Sequence, residues 1–537
     1  MSGIRCPVSG RRGVDIGALL LVTMLSVVPP LRAPDTGHQS PPSLVLLLIV
    51  DQMRADYLLR FAHQWTGGFA RIYRGGTVFE HGAQDHAATE TAPGHATLLS
   101  GRYPTHTGIG LNSRGVQDPD APLIGHGGGE GGASPHRFRG TTLIDWMLAR
   151  DPETRVLSVS RKDRGAIFPI GRAKVPVYWF DSGAFTTSRY YADTLPTWVQ
   201  GFNRRGSVER LAGATWDLLL PDSAYAEPDS EPFENGGADY TFPHRFATTR
   251  EGAIAQIARF PWMDSLTLAF ALEGVQALGL GRRANPDLLS ISLSTTDAVG
   301  HAFGPDSREI HDQLLHLDRW LGQFLDSLTW VIGNDRVLVV LTGDHGVTPI
   351  PEYQVTVRHR AAGRVGLESI ARGARVALRA RIDRDFDLDF DSGLLLADVA
   401  SLRASGIDVD SLARSLATEA ARLPGVARVY TPRTLAAAPR SDQSAELWRR
   451  LLPADYGWLF CAVTVDGYVW SGGGLGAEHS SGNREDIEVP IAFYGSGVPA
   501  RKVERAASTV DIAPTLARLL GISPTEPIDG QVLPEVD

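Results

Sequence analysis

The chain has 537 residues, with 52 Lys+Arg against 61 Asp+Glu, a formal net charge of −9, 43% hydrophobic and 21% charged residues. That balance belongs to a folded soluble protein and excludes intrinsic disorder and a polytopic membrane protein. Net acidity without a basic run excludes nucleic-acid scaffold binding, and two cysteines, Cys6 and Cys461, exclude a disulfide framework.

The first elements in chain order concern targeting. Arg5, Arg11 and Arg12 precede an apolar stretch from Ile16 to Val28, followed by Pro29, Pro30 and Ala33. A basic start, a short apolar segment and small residues predict a signal peptide over residues 1–33, cleaved near Ala33. The stretch falls short of the roughly 20 residues that span a bilayer, so no stable membrane span is expected after cleavage. The expected location is periplasmic or extracellular. Cleavage would remove Cys6 and leave Cys461 alone. Arg11-Arg12 fits a twin-arginine signal poorly.

Leu44 to Val50 is an unbroken apolar run ending at Asp51, the pattern of a strand buried on both faces. Arg155–Val159, Leu288–Leu293, Val337–Leu341 and Ile491–Tyr494 read the same way. Helical patterns cover Thr141–Ala149, Ile310–Leu328 and Asp511–Leu520. In the second, Ile310, Leu314, Leu317, Leu321, Phe324 and Leu328 mark one face. This alternation predicts an α/β fold: a doubly wound, mostly parallel sheet with helices on both faces. Two stretches interrupt it, at about 171–283 and 349–469, and are expected to be inserted subdomains of the catalytic domain 34–537. The second includes a predicted helix, Leu412–Leu423, and strand, Val426–Tyr430. Gly127–Gly132 reads as a surface loop, with no Lys-Ser/Thr pair to make it a phosphate loop. Asp383, Asp385, Asp387, Asp389 and Asp391 alternate with apolar residues, which suits a strand with one wet face better than a calcium loop.

In an open α/β sheet the chemistry is expected beyond the carboxyl ends of the strands. Asp51 follows the first run, Asp297 and His301 (i, i+4) follow the third, and Asp344-His345 follows the fourth. His479 precedes the last. Each cluster alone reads as a turn or a cap; together they are six mixed carboxylate and imidazole donors, enough for two zinc ions. Thr91, in Thr-Ala-Pro-Gly-His, lies just before a helix expected to begin near Ala96. A helix start favours an incoming anion, and a metal can ionise a threonine hydroxyl.

The ordered set Asp51, Thr91, Asp297, His301, Asp344, His345 and His479 resembles the metal site of the alkaline phosphatase superfamily. The resemblance implies one zinc held by Asp297, His301 and His479. It implies a second held by Asp51, Asp344, His345 and the Thr91 oxygen. A sulfatase would need Cys or Ser where Thr91 stands. Asn112 and Lys162-Asp163-Arg164 resemble the threonine-nucleophile alkaline phosphatases of the PafA type, in which such residues hold the phosphoryl oxygens. Lys162 and Arg164 suit the extra anionic oxygen of a monoester. The expectation is an exported zinc-dependent phosphomonoesterase of small phosphate esters, working through a phosphothreonine at Thr91. The rivals are a phosphodiesterase or nucleotide pyrophosphatase on the same scaffold, and an inactive exported binding protein.

Overall fold

The computed structural model describes residues 42–125, 131–333, 336–383, 385–470, 474 and 476–537. The expected signal peptide and most of the Gly127–Gly132 loop lie outside these residues. Among the described residues, no helix is long and apolar enough to cross a membrane.

The elements that position the site are, in chain order, β1 (Leu44–Val50), α1 (Thr91–Leu98), β2 (Val156–Ser160), α2 (Asp163–Ile167), β3 (Asp287–Leu293) and α3 (Thr295–Phe303). They continue with α4 (Arg308–Ile332), β4 (Val337–Thr342), β5 (Leu388–Asp391), β6 (Leu394–Ala397) and β7 (Ile491–Gly495). Strands β4, β1, β3 and β2 and the strand Val177–Asp181 run parallel as neighbours at the centre of an 11-stranded sheet.

Every residue of β1 is buried. Leu44, Leu46, Leu48 and Val50 enter one hydrophobic core, and Val45, Leu47 and Ile49 enter the other. Leucine is a good helix former, but burial of a Leu, Val or Ile side chain contributes about 1.5–3 kcal/mol, far above its helix preference. Two apolar faces seven residues long therefore settle as a central strand. One core is closed by α4, whose Ile310, Leu314, Leu317, Leu321, Phe324 and Leu328 face the sheet, and the other by α1, the helix Leu143–Arg150 and the helix Ile512–Leu519. The Leu143–Arg150 helix starts two residues later than its sequence pattern because Thr142 and Asp145 form a capping box.

The fold is the doubly wound α/β architecture, with antiparallel flanks. Strand β7 pairs antiparallel with β4, since an apolar run reports burial on both faces and not direction. The aromatic stretch 171–283 is partly core rather than wholly an insertion: Val177–Asp181 and Ala184–Ser188 extend the main sheet, and the helix Trp262–Leu278 packs on its face. The later stretch builds a separate four-stranded sheet, ordered β5, β6, Trp458–Thr464, Val426–Tyr430, with its own apolar core. Asp385, Asp387 and Asp389 are exposed there while Phe386 and Leu388 are buried, so the acidic alternation is a wet edge.

Candidate active site

The register of the parallel strands brings the donors together. Val50 pairs with Leu293 and Ile49 with Thr342, so the chain leaves β1, β3 and β4 side by side. Asp51 follows β1, Asp297 and His301 sit on α3, and Asp344 and His345 follow β4. Between them Gln52 adopts a left-handed backbone, φ 66°, uncommon for a residue with a side chain. Its N–H donates to Asp344 Oδ1 at 3.0 Å and its Nε2 to Asp297 Oδ1 at 3.3 Å, tying two strand ends together. His479 arrives from a distant loop, with Nδ1 2.7 Å from the Thr89 carbonyl.

Helix α1 begins at Thr91 itself, earlier than expected, because a proline in the first turn removes only an N–H that has no helical partner. The Thr91 side chain is buried and its Oγ1 accepts from Lys162 Nζ at 3.2 Å. A Cβ on Gly94 would lie 2.2 Å from the Asp344 carbonyl oxygen, so only glycine lets α1 approach the β4 loop this closely. His95, one turn after Thr91, is 2.8 Å from the Thr91 carbonyl and 3.2 Å from Asp344 Oδ2 through Nδ1, and 2.8 Å from Ser292 Oγ through Nε2.

The donors form two compact sets, Asp51–Asp344–His345 and Asp297–His345–His479, each with ligand atoms within 4.8 Å of one another. His345 belongs to both sets, and its ring stacks on His479 at 3.9 Å. His301 stands beside the second set, with Nε2 3.3 Å from Asp297 Oδ1. Both Asp51 oxygens, Asp344 Oδ2 and His345 Nε2 are buried without an aligned hydrogen-bond partner. His301, His345 and His479 each turn Nδ1 to a backbone carbonyl at 2.7–2.9 Å, which orients Nε2 as metal-binding histidines do. Orphaned oxygens beside oriented imidazoles fit a divalent cation with mixed N/O preference, such as zinc.

Charge is concentrated here. Burial raises the Asp51 carboxyl pKa, helped by Asp297 and Asp344. For Asp297, burial is overcome by Lys162 and His301, which hold it well below the usual range. Burial alone would depress His301, but Asp297 lifts it to about 9; burial and the charges of His345 and His301 depress His479. Lys162 Nζ lies 2.7 Å from both Asp51 Oδ2 and Asp297 Oδ2 and offsets their repulsion.

Of the expected oxygen-holding residues, Lys162 reaches the centre. Asn112 stands beside it: its Oδ1 accepts the Ala92 N–H at 2.8 Å, which leaves Nδ2 without a protein partner among the described residues. Arg164 does not pair with the donor sets. Its guanidinium is 3.6 Å from Asp163 and its Nε is buried and unpartnered; burial raises the Glu90 pKa to about 8, and the charge of Arg164 only partly opposes this.

The type I phosphodiesterase / nucleotide pyrophosphatase family matches residues 45–405. Alkaline phosphatase PhoV of Synechococcus elongatus is 30% identical, covering 92% of this chain and 93% of that protein. Alkaline phosphatase PafA of Elizabethkingia meningoseptica is 29% identical over 96% and 98%. The crystal structure of wild-type PafA superposes with a TM-score of 0.86 at 28% identity, covering 93% of this chain and all of that one. The chain belongs to the type I phosphodiesterase / nucleotide pyrophosphatase family. It is a PafA-type member of the alkaline phosphatase superfamily.

Sequence patterns had not singled out three residues of this PafA-type site. His95 had a usable signal, an imidazole one helical turn from Thr91. Gln52 had only its place after Asp51. Glu90, at the N-cap of α1, is an unusual residue for that position, and its side chain makes no cap bond.

Proposed function

We propose that the protein is an exported phosphomonoesterase that transfers the phosphoryl group of small phosphate esters to Thr91 and then to water. The observation that carries this reading is the buried Thr91 hydroxyl at the first turn of α1, 3.2 Å from the Lys162 ammonium. Two zinc-type cations, held by Asp297, His301 and His479 and by Asp51, Asp344 and His345, would supply Lewis-acid charge and favour the ionised threonine. Lys162 stabilises negative charge on Thr91 Oγ1 and on the transferring group. Asn112 Nδ2 and Arg164 Nε are free donors for the outer phosphoryl oxygens, where phosphoryl transfer gains most from positioning and electrostatics. Export rests on the charge and apolar pattern of residues 1–33.

The family description favours one other reading, a phosphodiesterase. The test is kcat/KM for an aryl phosphate monoester and a diester with the same leaving group, with zinc content and mass-spectrometric trapping of the phosphorylated residue. Thr91→Ala is expected to lose roughly a thousandfold or more in turnover while retaining fold and zinc. Wild type is expected to prefer the monoester, and Lys162→Ala with Arg164→Ala to narrow that preference. Near wild-type phosphate release from Thr91→Ala, or equal losses on both esters in the double variant, would overturn the reading.

A further inference from the structure

The hairpin β5–β6 belongs to the four-stranded sheet, yet its tip reaches the main-domain segment that carries Asn112. Asp391 and Leu394 pair across a two-residue loop, Ser392-Gly393, both with left-handed backbone, φ 49° and 85°. Such a turn matches the twist of a hairpin, but a serine in it is unfavourable compared with glycine or asparagine. The Ser392 hydroxyl is engaged: it donates to Glu90 Oε1, with Asp391 Oδ1 2.9 Å away. Asp391 Oδ2 in turn accepts from the Ser113 hydroxyl at 2.5 Å. Glu90 is buried, and its other oxygen, Oε2, accepts the Asn112 N–H at 2.6 Å. The turn thus grips Asn112 from both sides, through Glu90 at its backbone nitrogen and through Ser113 at the next residue.

We propose that the Asp391–Gly393 turn positions Asn112, so that the separate sheet sets the recognition of the phosphoryl group. Glu90, Ser392 and Asp391 are positioning residues. They reach neither Thr91 Oγ1 nor the donor sets and act through Asn112, whose own Oδ1 is fixed by Ala92 and whose Nδ2 is left to face substrate. The proposal rests on the reading of Asn112 as a phosphoryl-oxygen donor. It explains why an N-cap glutamate turns away from its own helix, and why a serine stands where glycine would relax the turn.

The experiment is a double-mutant cycle on the full zinc-loaded chain, using Ser392→Gly and, independently, Ser113→Ala, each in the wild-type and Asn112→Ala backgrounds. Ser392→Gly removes the hydroxyl while relieving the turn, so a purely structural role predicts an unchanged or higher Tm and unchanged kinetics. Positioning predicts a loss of about three- to tenfold in monoester kcat/KM from Ser392→Gly, the size of one hydrogen bond, at unchanged Tm. Loss should shrink to less than about twofold once Asn112 is alanine, because residues acting through one partner are not additive. No loss in the wild-type background, or the same loss in both backgrounds, for both variants, would overturn the proposal. If Asn112→Ala itself leaves monoester kcat/KM unchanged, the phosphoryl reading of Asn112 fails, and the two failures are told apart in one data set.

Discussion

Asp264 is fully buried next to the start of α3, where Oδ1 accepts the Thr295 N–H at 3.1 Å and Oδ2 accepts from Gln313 Nε2 at 3.2 Å. It steadies the helix that carries Asp297 and His301. Burial outweighs these bonds and the charge of Arg161, and raises its pKa to about 7. Between about pH 4 and pH 7 the folded chain therefore holds a proton that the unfolded chain has released. Stability from this group is complete below the unfolded value, falls as pH rises, and is lost once pH passes 7, by about 1.4 kcal/mol per unit and up to roughly 4 kcal/mol in all. Asp264→Asn removes that dependence, so the Tm of the variant minus that of wild type should increase from pH 5 to pH 8. A difference independent of pH would show that burial does not lift the Asp264 pKa above its value in the unfolded chain. At this scale sequence reading was uneven. Asp51, Asp297 and Asp344 were legible because each follows an apolar run, whereas Asp264, in the first turn of the helix Trp262–Leu278, has no local mark of its role. The grouping of His345 with His479 depends on a ring stack between loops that no spacing encodes.

At the scale of elements, contact between α1 and the β4 loop rests on Gly94, whose hydrogen stands where a methyl would meet backbone atoms. Backbone cannot yield as a flexible side chain does, so Gly94→Ala should lower Tm by several degrees and reduce kcat/KM about a hundredfold or more, by shifting Thr91 from Lys162. The control is Gly373, within the helix Glu368–Ile382, where an added Cβ meets nothing within 4 Å. Gly373→Ala should raise stability by about 0.5–1 kcal/mol and leave kinetics unchanged. Similar effects at both positions in thermal melts would contradict the close-approach argument. The central strands were readable because burial on both faces leaves an unbroken apolar signature. The direction of β7 was not, since pairing partners are chosen by the whole sheet. The first turn of α1 was hidden by Pro93, which marks a helix start as readily as a break.

At the scale of the molecule, the donors are gathered from nearly the full length of the described chain. The bond between His479 and the Thr89 carbonyl joins residues 390 positions apart in sequence, and Gln52 meets Asp344 across 292. Contacts of such long range close slowly, because loop entropy must be overcome before they stabilise anything. The four-stranded sheet, by contrast, has its own core within a limited span of chain. Refolding from denaturant, with zinc present throughout, should therefore restore far-ultraviolet circular dichroism well before activity, with activity returning in the slowest phase. Activity recovered in step with the earliest signal would refute this order. The His479 bond has a consequence for assay as well. On the proposed reading the last donor comes from the far end of the chain, so turnover would report that folding has reached completion, and a partly folded population would be silent rather than slow.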